Sequence, residues 1–373
     1  MPVPTMSFLT GIHFGPGMVS LLPEILAEQG VSRPLLVTDR GLVDCGLAER
    51  ILPHPAAMFD QVAANPTEDN VLAGLAIYRE HGCDGIVAAG GGSPLDCGKA
   101  IALLATHPEP LEQYALLRGG VSRITADKPP LIAVPTTAGT GSEVGRGALI
   151  AFGRGAKLAL ISPHLYPTAA VCDPELTLGL PPLLTAGTGM DAISHCVETF
   201  CSPKFNPVAD AIALDGLSRA CRNLRVAVED GGNLEARSEM MIAALEGGLT
   251  FQKGLGLIHS LSHPLGAVPG LPLHHGTLNA IFLPHVLRFN APDCPQKMEQ
   301  MASTVGIARG ENLPEFFSRL ISEIGLPTRL RNLNVGRNLL PELAGMALAD
   351  HSTATNPRPV SEADCIEQYE IAW

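Results

Sequence analysis

At 373 residues the chain exceeds the length at which a single hydrophobic core usually stops growing, so two domains are expected. Hydrophobic residues make up 46% of it and charged ones 17%, which fits a well-buried, enzyme-like protein and argues against extended disorder. A net charge of −12 with no Lys/Arg run argues against nucleic-acid binding and against an anionic membrane as partner.

Nine scattered cysteines, an odd number with no CxxC pair, read as reduced thiols rather than as a disulfide framework or zinc ribbon. The start, MPVPTMSFLTGIHFG, lacks the basic region and apolar run of a signal peptide, and no stretch approaches the roughly 20 apolar residues of a membrane span. The expectation is a soluble cytoplasmic protein.

Along the first half, short apolar runs alternate with amphipathic segments. PLLVTDR (34–40), GIVAAGG (85–91), LIAVPTT (131–137), KLALIS (157–162) and AAVCDP (169–174) read as buried strands. Residues 18–30, 67–82 and 94–107 carry helical spacing, with Thr67 as an N-cap and Gly30 and Gly82 as stops. Strand and helix in repetition predict an α/β domain with a mostly parallel, Rossmann-like sheet over residues 1–180. Beyond Pro181-Pro182 the strand signal ends, and helices are predicted near 185–201, 207–228, 235–265, 276–290, 293–306 and 313–325. Residues 181–373 therefore read as an all-α domain.

Two glycine-rich loops follow predicted strands, 90-GGGSPLD-96 and 136-TTAGTGSE-143. Glycines there let backbone approach a ligand, and the free N–H groups of the next helix attract phosphate. Ser93, Thr136, Thr137, Thr140 and Ser142 add hydroxyls suited to phosphate or ribose. Neither loop is a GxGxxG or a P-loop, so ordinary βα turns are the competing reading. Asp39 ends the first predicted strand, where a carboxylate can accept from an adenosine ribose and repel a 2′-phosphate, or simply serve the turn.

In 188-TGMDAISHCVETF-200, Asp191 and His195 are four apart and share a helix face, with Glu198 one turn on as a candidate to orient His195. His259 and His263 repeat that spacing in the apolar IHSLSHP, and His274 and His275 precede Gly276. Buried imidazoles need partners. One carboxylate and several imidazoles suit Zn²⁺ or Fe²⁺ better than Mg²⁺ or Ca²⁺.

The runs GGGSPLD, PTTAGTGSEV, TGMDAISHCVE, GLGLIHSLSHPLGA and HHGTLNAIFLPHV together resemble the iron-containing, or group III, alcohol dehydrogenases, a family that shares its fold with glycerol dehydrogenases and dehydroquinate synthases. The resemblance spans nearly the whole chain. It implies a dehydroquinate synthase-like fold, NAD(H) as cofactor in the first domain, one divalent metal, Fe²⁺ or Zn²⁺, in the second, and a homodimer or higher homo-oligomer. By position it implies metal ligands at Asp191, His195, His259 and His275, a catalytic-pocket histidine at His263, and cofactor contacts at Asp39, Asn65, Gly92, Ser93, Asp96, Thr136, Thr137, Thr140, Ser142 and Lys157.

Two features depart from the pattern. The loop before His275 is about two residues longer than in propanediol-type members, which leaves His274 as a competing ligand, and Gly145-Arg146 follow SEV where many members have Thr. Arg146 either supports the local structure or offers a bidentate site to an anionic substrate. The implied reaction is hydride transfer between NAD(H) and a short primary alcohol or its aldehyde. The alternatives are a reductase of an anionic oxo-acid or semialdehyde, maleylacetate reductase included, and, more remotely, a sugar-phosphate cyclase of the dehydroquinate synthase kind. The cyclase would need a basic phosphate cage, and residues 180–300 are poor in Lys and Arg.

Overall fold

The computed structural model describes residues 6, 8–153, 156–268, 270–271, 273–307 and 311–373. Its strands are β1 (Gly11–Phe14), β2 (Pro34–Val37), β3 (Ala57–Phe59), β4 (Gly85–Gly90), β5 (Leu131–Pro135), β6 (Gly147–Phe152), β7 (Ala156–Ile161) and β8 (Ala169–Cys172). Six form a sheet in the order β1-β8-β5-β4-β2-β3, every neighbouring pair parallel. β2, β4, β5 and β8 are buried along their whole length, as a sheet covered on both faces requires.

The register places Leu35 beside Ile86 and Ile86 beside Leu131. Those side chains lie on one face, in a core with Val71, Leu75, Ile101 and Leu104 from α4 (Glu68–Glu80) and α5 (Gly92–Thr106). The alternate residues Leu36, Val87, Ile132 and Val134 form the opposite core. Its helices are α1 (Leu22–Glu28), α2 (Arg40–Asp44) and α3 (Leu47–Ile51).

KLALIS does form a strand, β7, yet it pairs antiparallel with β6 in a separate two-stranded sheet rather than joining the parallel one. β1, β3 and β6 were not anticipated. β1 and β3 are the sheet's two edges, β1 is half exposed and β3 has three residues, so neither has the long apolar signature of a central strand.

From residue 182 onward the described elements are helical: α6 (Pro182–Cys201), α7 (Pro207–Glu229), α8 (Leu234–Leu249), α9 (Leu257–Leu265), α10 (His275–Asn290), α11 (Pro295–Val305), α12 (Leu313–Glu323), α13 (Leu340–Leu348) and α14 (Glu362–Ala372), joined by short 3₁₀ turns. The expected single helix over 235–265 is interrupted. Gly254 there adopts φ 77° and a Cβ on it would lie 2.4 Å from Thr355 Oγ1, so the chain turns between α8 and α9.

Contacts divide the chain into two units. One comprises Phe8–Thr137 and Gly141–Thr177; the other comprises Leu178–Trp373 with Ala138–Thr140. Among the described residues no helix is long and apolar enough to cross a membrane.

Candidate metal and cofactor site

In the helical unit, α6 carries Asp191 and His195, α9 carries His259 and His263, and α10 begins with His275. The Nε2 atoms of His195, His259 and His275 lie 3.5, 3.6 and 3.5 Å from one atom, Asp191 Oδ1. Donors about 2.1 Å from a tetrahedral ion are separated by about 3.4 Å, so the distances to Asp191 fit a shared divalent cation. The ligand atoms of Asp191, His195 and His259 all lie within 4.8 Å of one another, and His275 joins them at Asp191 Oδ1. Asp191, His195 and His259 are buried, whereas the His275 side chain is 34% exposed and gives the set an open side. His195 is wedged between the stacked His259 ring at 4.7 Å and the edge of Phe251 at 4.8 Å, which leaves its Nε2 little freedom.

The electrostatics point the same way. Burial alone would raise the Asp191 pKa, but His195, His275 and His259 hold it well below the usual carboxylate range. Burial pushes His195 down to about 4, while in His259 Glu198 and Asp191 overcome burial and carry it up to about 9. Two buried carboxylates thus draw a positive charge onto His259. If a divalent ion were bound, it would supply that charge, and the neutral imidazole of His259 would serve as a ligand.

Three neighbours were not singled out from the sequence in these roles. Glu198 does not orient His195. Its carboxylate accepts from the His259 ring at Nδ1 (2.5 Å) and from the Ile258 N–H (2.6 Å), because the face of α6 that carries it meets the start of α9. Asn279, one turn after His275 on α10, donates Nδ2 to Asp191 Oδ1 at 2.7 Å and lies 3.1 and 3.2 Å from His259 and His275 Nε2, while its buried Oδ1 has no hydrogen-bond partner among the described residues. Asp350 Oδ2 lies within hydrogen-bond distance, 2.9 Å, of His263 Nδ1. The i,i+4 spacing from His275 was a usable signal for Asn279; Asp350 is 87 residues from His263 and gave none.

His263 shares the buried face of α9 with His259, but its Nδ1 turns to Asp350 and its Nε2 has no hydrogen-bond partner among the described residues. His274 is the N-cap of α10, accepting from the Thr277 N–H at 3.3 Å. That separates it by role from its neighbour His275.

In the α/β unit, parallel pairing brings the ends of β2, β4 and β5 to one edge of the sheet. β2 connects outward to β3 while β4 lies on its other side, so the chain changes direction between β2 and β4, the place where open α/β sheets bind ligands. Asp39, Gly92 and Thr136 follow these three strands. Asp39 caps α2 through Oδ1, which accepts from the Leu42 N–H at 3.1 Å. Gly92 opens α5, Ser93 Oγ donates to the Ala64 carbonyl at 2.6 Å, and Thr136 N–H donates to Gly90. Thr137 lies beside Gly91, where a Cβ would be 3.6 Å from its side chain. Thr140 belongs to the short segment that groups with the helical unit.

Lys157 Nζ donates to Asn65 Oδ1 at 2.5 Å, so two residues 92 apart in sequence meet. Burial brings the Lys157 pKa down to about 8. Asp96 and Ser142 face inward: Asp96 accepts from Ser142 Oγ (2.6 Å) and the Leu149 N–H (2.8 Å), and Ser142 accepts from the buried Lys99 (2.8 Å). Lys99, not noticed in the sequence, braces the second glycine loop from behind, also donating to Gly147 at 2.7 Å. Arg146 is half buried; its carbonyl accepts from the Ser162 N–H, and among the described residues no carboxylate forms an ion pair with its guanidinium.

An alcohol carbon gives up hydride only when the charge on its oxygen is stabilised, and a chain with a nucleotide-type sheet and a buried Asp/His donor set fits that class of work, metal-dependent oxidoreduction with NAD(H). Comparison with known proteins narrows the class. Residues 10–174 match the family model of iron-containing alcohol dehydrogenase, and residues 185–373 match the C-terminal model of the same family. The chain is 49% identical to a 4-hydroxybutyrate dehydrogenase of Cupriavidus necator, over 96% of each chain. It is 39% identical to a 1,3-propanediol dehydrogenase of Klebsiella pneumoniae, over 100% of this chain and 98% of that one. A crystal structure of a 1,3-propanediol oxidoreductase superposes with a TM-score of 0.92 at 37% identity, over 99% of this chain and 100% of the other. The chain belongs to the iron-containing alcohol dehydrogenase family and is an alcohol dehydrogenase-type oxidoreductase.

Proposed function

We propose that the protein interconverts a short primary alcohol and its aldehyde by hydride exchange with NAD(H), with Asp191, His195, His259 and His275 holding one divalent ion, Fe²⁺ or Zn²⁺. The observation that carries this reading is the convergence of three imidazole Nε2 atoms at 3.5–3.6 Å from Asp191 Oδ1. When bound, the ion contributes Lewis acidity at the alcohol or carbonyl oxygen and the nicotinamide is the hydride partner.

The chain's own residues do the rest. Glu198 fixes the His259 ring so that Nε2 faces the ion site. His263, its Nε2 unengaged, serves the proton at the substrate oxygen. Gly92, Ser93, Thr136, Thr137 and Thr140 receive the pyrophosphate side of the cofactor, with Asn65 and Lys157 around them, while the inward-facing Ser142 and Asp96 brace the second glycine loop that shapes this site. Asp39 keeps one carboxylate oxygen on Leu42 and offers the other to the adenosine ribose, favouring NAD over NADP. The protein works as a homodimer or higher homo-oligomer.

Replacing Asp191 with Ala removes bound metal and turnover together, whereas His263→Ala lowers kcat and leaves metal content intact. Elemental analysis beside steady-state kinetics checks both. Metal loss in the His263 variant contradicts the division of roles.

A second reading adds a carboxylate to the substrate. Two observations support it: the 49% identity to a 4-hydroxybutyrate dehydrogenase, and the guanidinium of Arg146, which has no carboxylate partner among the described residues. Arg146→Gln then raises KM for an ω-hydroxy acid and leaves KM for a neutral diol unchanged; equal effects on both substrates rule out an anchoring role.

A further inference from the structure

Among the described residues a second cluster of donors, His263, Asp350 and His351, lies beside the one assigned to the ion. Its geometry is that of a hydrogen bond rather than of an ion shell. His263 Nδ1 and Asp350 Oδ2 are 2.9 Å apart, closer than the ~3.4 Å that separates ligands around a tetrahedral ion. Asp350 is itself pinned just past the end of α13: its Oδ1 accepts from the Ser352 N–H at 2.8 Å, and its own N–H donates to the Ala347 carbonyl. Burial would raise its pKa, but His263, His351 and the Ser352 N–H reverse that and keep it ionised.

An ionised carboxylate accepts and cannot donate. The proton in this contact therefore sits on His263 Nδ1, and in the neutral ring Nε2 carries the lone pair. That Nε2 is buried and has no hydrogen-bond partner among the described residues. Two further rings lie nearly parallel to it: the His275 centroid is 5.4 Å away with planes 11° apart, and the His351 centroid 5.9 Å away with planes 12° apart. Rotation of χ2, the motion that would exchange the two nitrogens, is opposed by these two parallel neighbours and by the bond to Asp350.

We propose that Asp350 is the positioning residue of His263, fixing its Nδ1–H tautomer so that Nε2 is presented as an acceptor, with His351 as the wall that keeps the ring in plane. This rests on the proposed role of His263 at the substrate oxygen. The carboxylate acts through the histidine and touches no reactant. It follows the general rule that a base is only as well placed as the group that orients it.

The test has two arms on the full-length, zinc-loaded protein. Two-bond ¹⁵N–¹H spectra of histidine-labelled protein, with the His263 signals assigned by their loss in His263→Ala, report the tautomer directly. The expected result is Nδ1–H in the wild type and a mixture, or Nε2–H, in Asp350→Ala. An Nε2–H ring in the wild type overturns the proposal even if no variant folds. The second arm is a double-mutant cycle on kcat: Asp350→Ala lowers it about tenfold or more, metal content and NADH affinity stay within twofold, and adding it to His263→Ala costs nothing further. Additive losses, or loss of metal in Asp350→Ala, overturn it. Should His263→Ala keep full turnover while the tautomer still depends on Asp350, the catalytic reading of His263 fails and the positioning stands.

Discussion

Glu198 stands three residues after His195, yet its carboxylate serves His259, 61 residues further on. Helical spacing tells which side chains share a face, and it placed Asp191 with His195 and His259 with His263 on common faces; it cannot tell which partner a shared face meets. The same limit separates His259 from His263, whose identical backbone setting ends in different bonds because one ring meets Glu198 and the other Asp350. His274 and His275 differ by the phase of the helix start, one capping it and the other entering its first turn. Removing the orienting carboxylate with Glu198→Ala weakens metal affinity by roughly 10- to 100-fold, as loss of an outer-shell partner commonly does, and leaves the fold intact. A competition titration with a chromophoric chelator measures this, and an unchanged affinity would detach Glu198 from the ion site.

The central strands were legible because a parallel sheet buried on both faces demands continuous apolar runs, and Leu35–Val37 or Ile86–Ala89 supply them. The edges β1 and β3 carry no such run, and the direction of β7 was hidden because strand pairing is a tertiary event. The break between α8 and α9 is written in Gly254. Gly254→Ala must place a Cβ 2.4 Å from Thr355 Oγ1 at φ 77° and destabilises the fold by about 1–3 kcal/mol in a denaturant melt, where a change within experimental error would show the turn to be permissive.

Behind the second glycine loop lies Glu143, fully buried, its pKa raised by burial from the ordinary 4.5 to about 7, against the pull of its own backbone hydrogen bond and of Lys99. The folded chain thus holds this proton more tightly than the unfolded one. Between pH 4.5 and 7 its contribution to stability falls as pH rises, by at most about 3 kcal/mol. Glu143→Gln flattens that part of the profile in pH-resolved melts; an unaltered slope would show that Glu143 is ionised in the fold.

For the molecule as a whole, the fold class was accessible from the alternation of apolar runs and helical segments, and the family from long ordered motifs. The substrate was not. It depends on side chains such as Arg146 whose surroundings are set by packing rather than by spacing. A bound ion also adds to global stability by mass action, about 2.7 kcal/mol at a hundredfold excess over its Kd, so chelation lowers the melting temperature and reloading restores it. The most direct measurement follows NADH consumption anaerobically in chelator-stripped protein, before and after adding Fe²⁺ or Zn²⁺, with matched short aldehydes that are neutral or carry a carboxylate. The account predicts no turnover in the stripped protein and its return with either ion, the preferred aldehyde set deciding whether Arg146 anchors substrate. Equal turnover with and without the ion would contradict it.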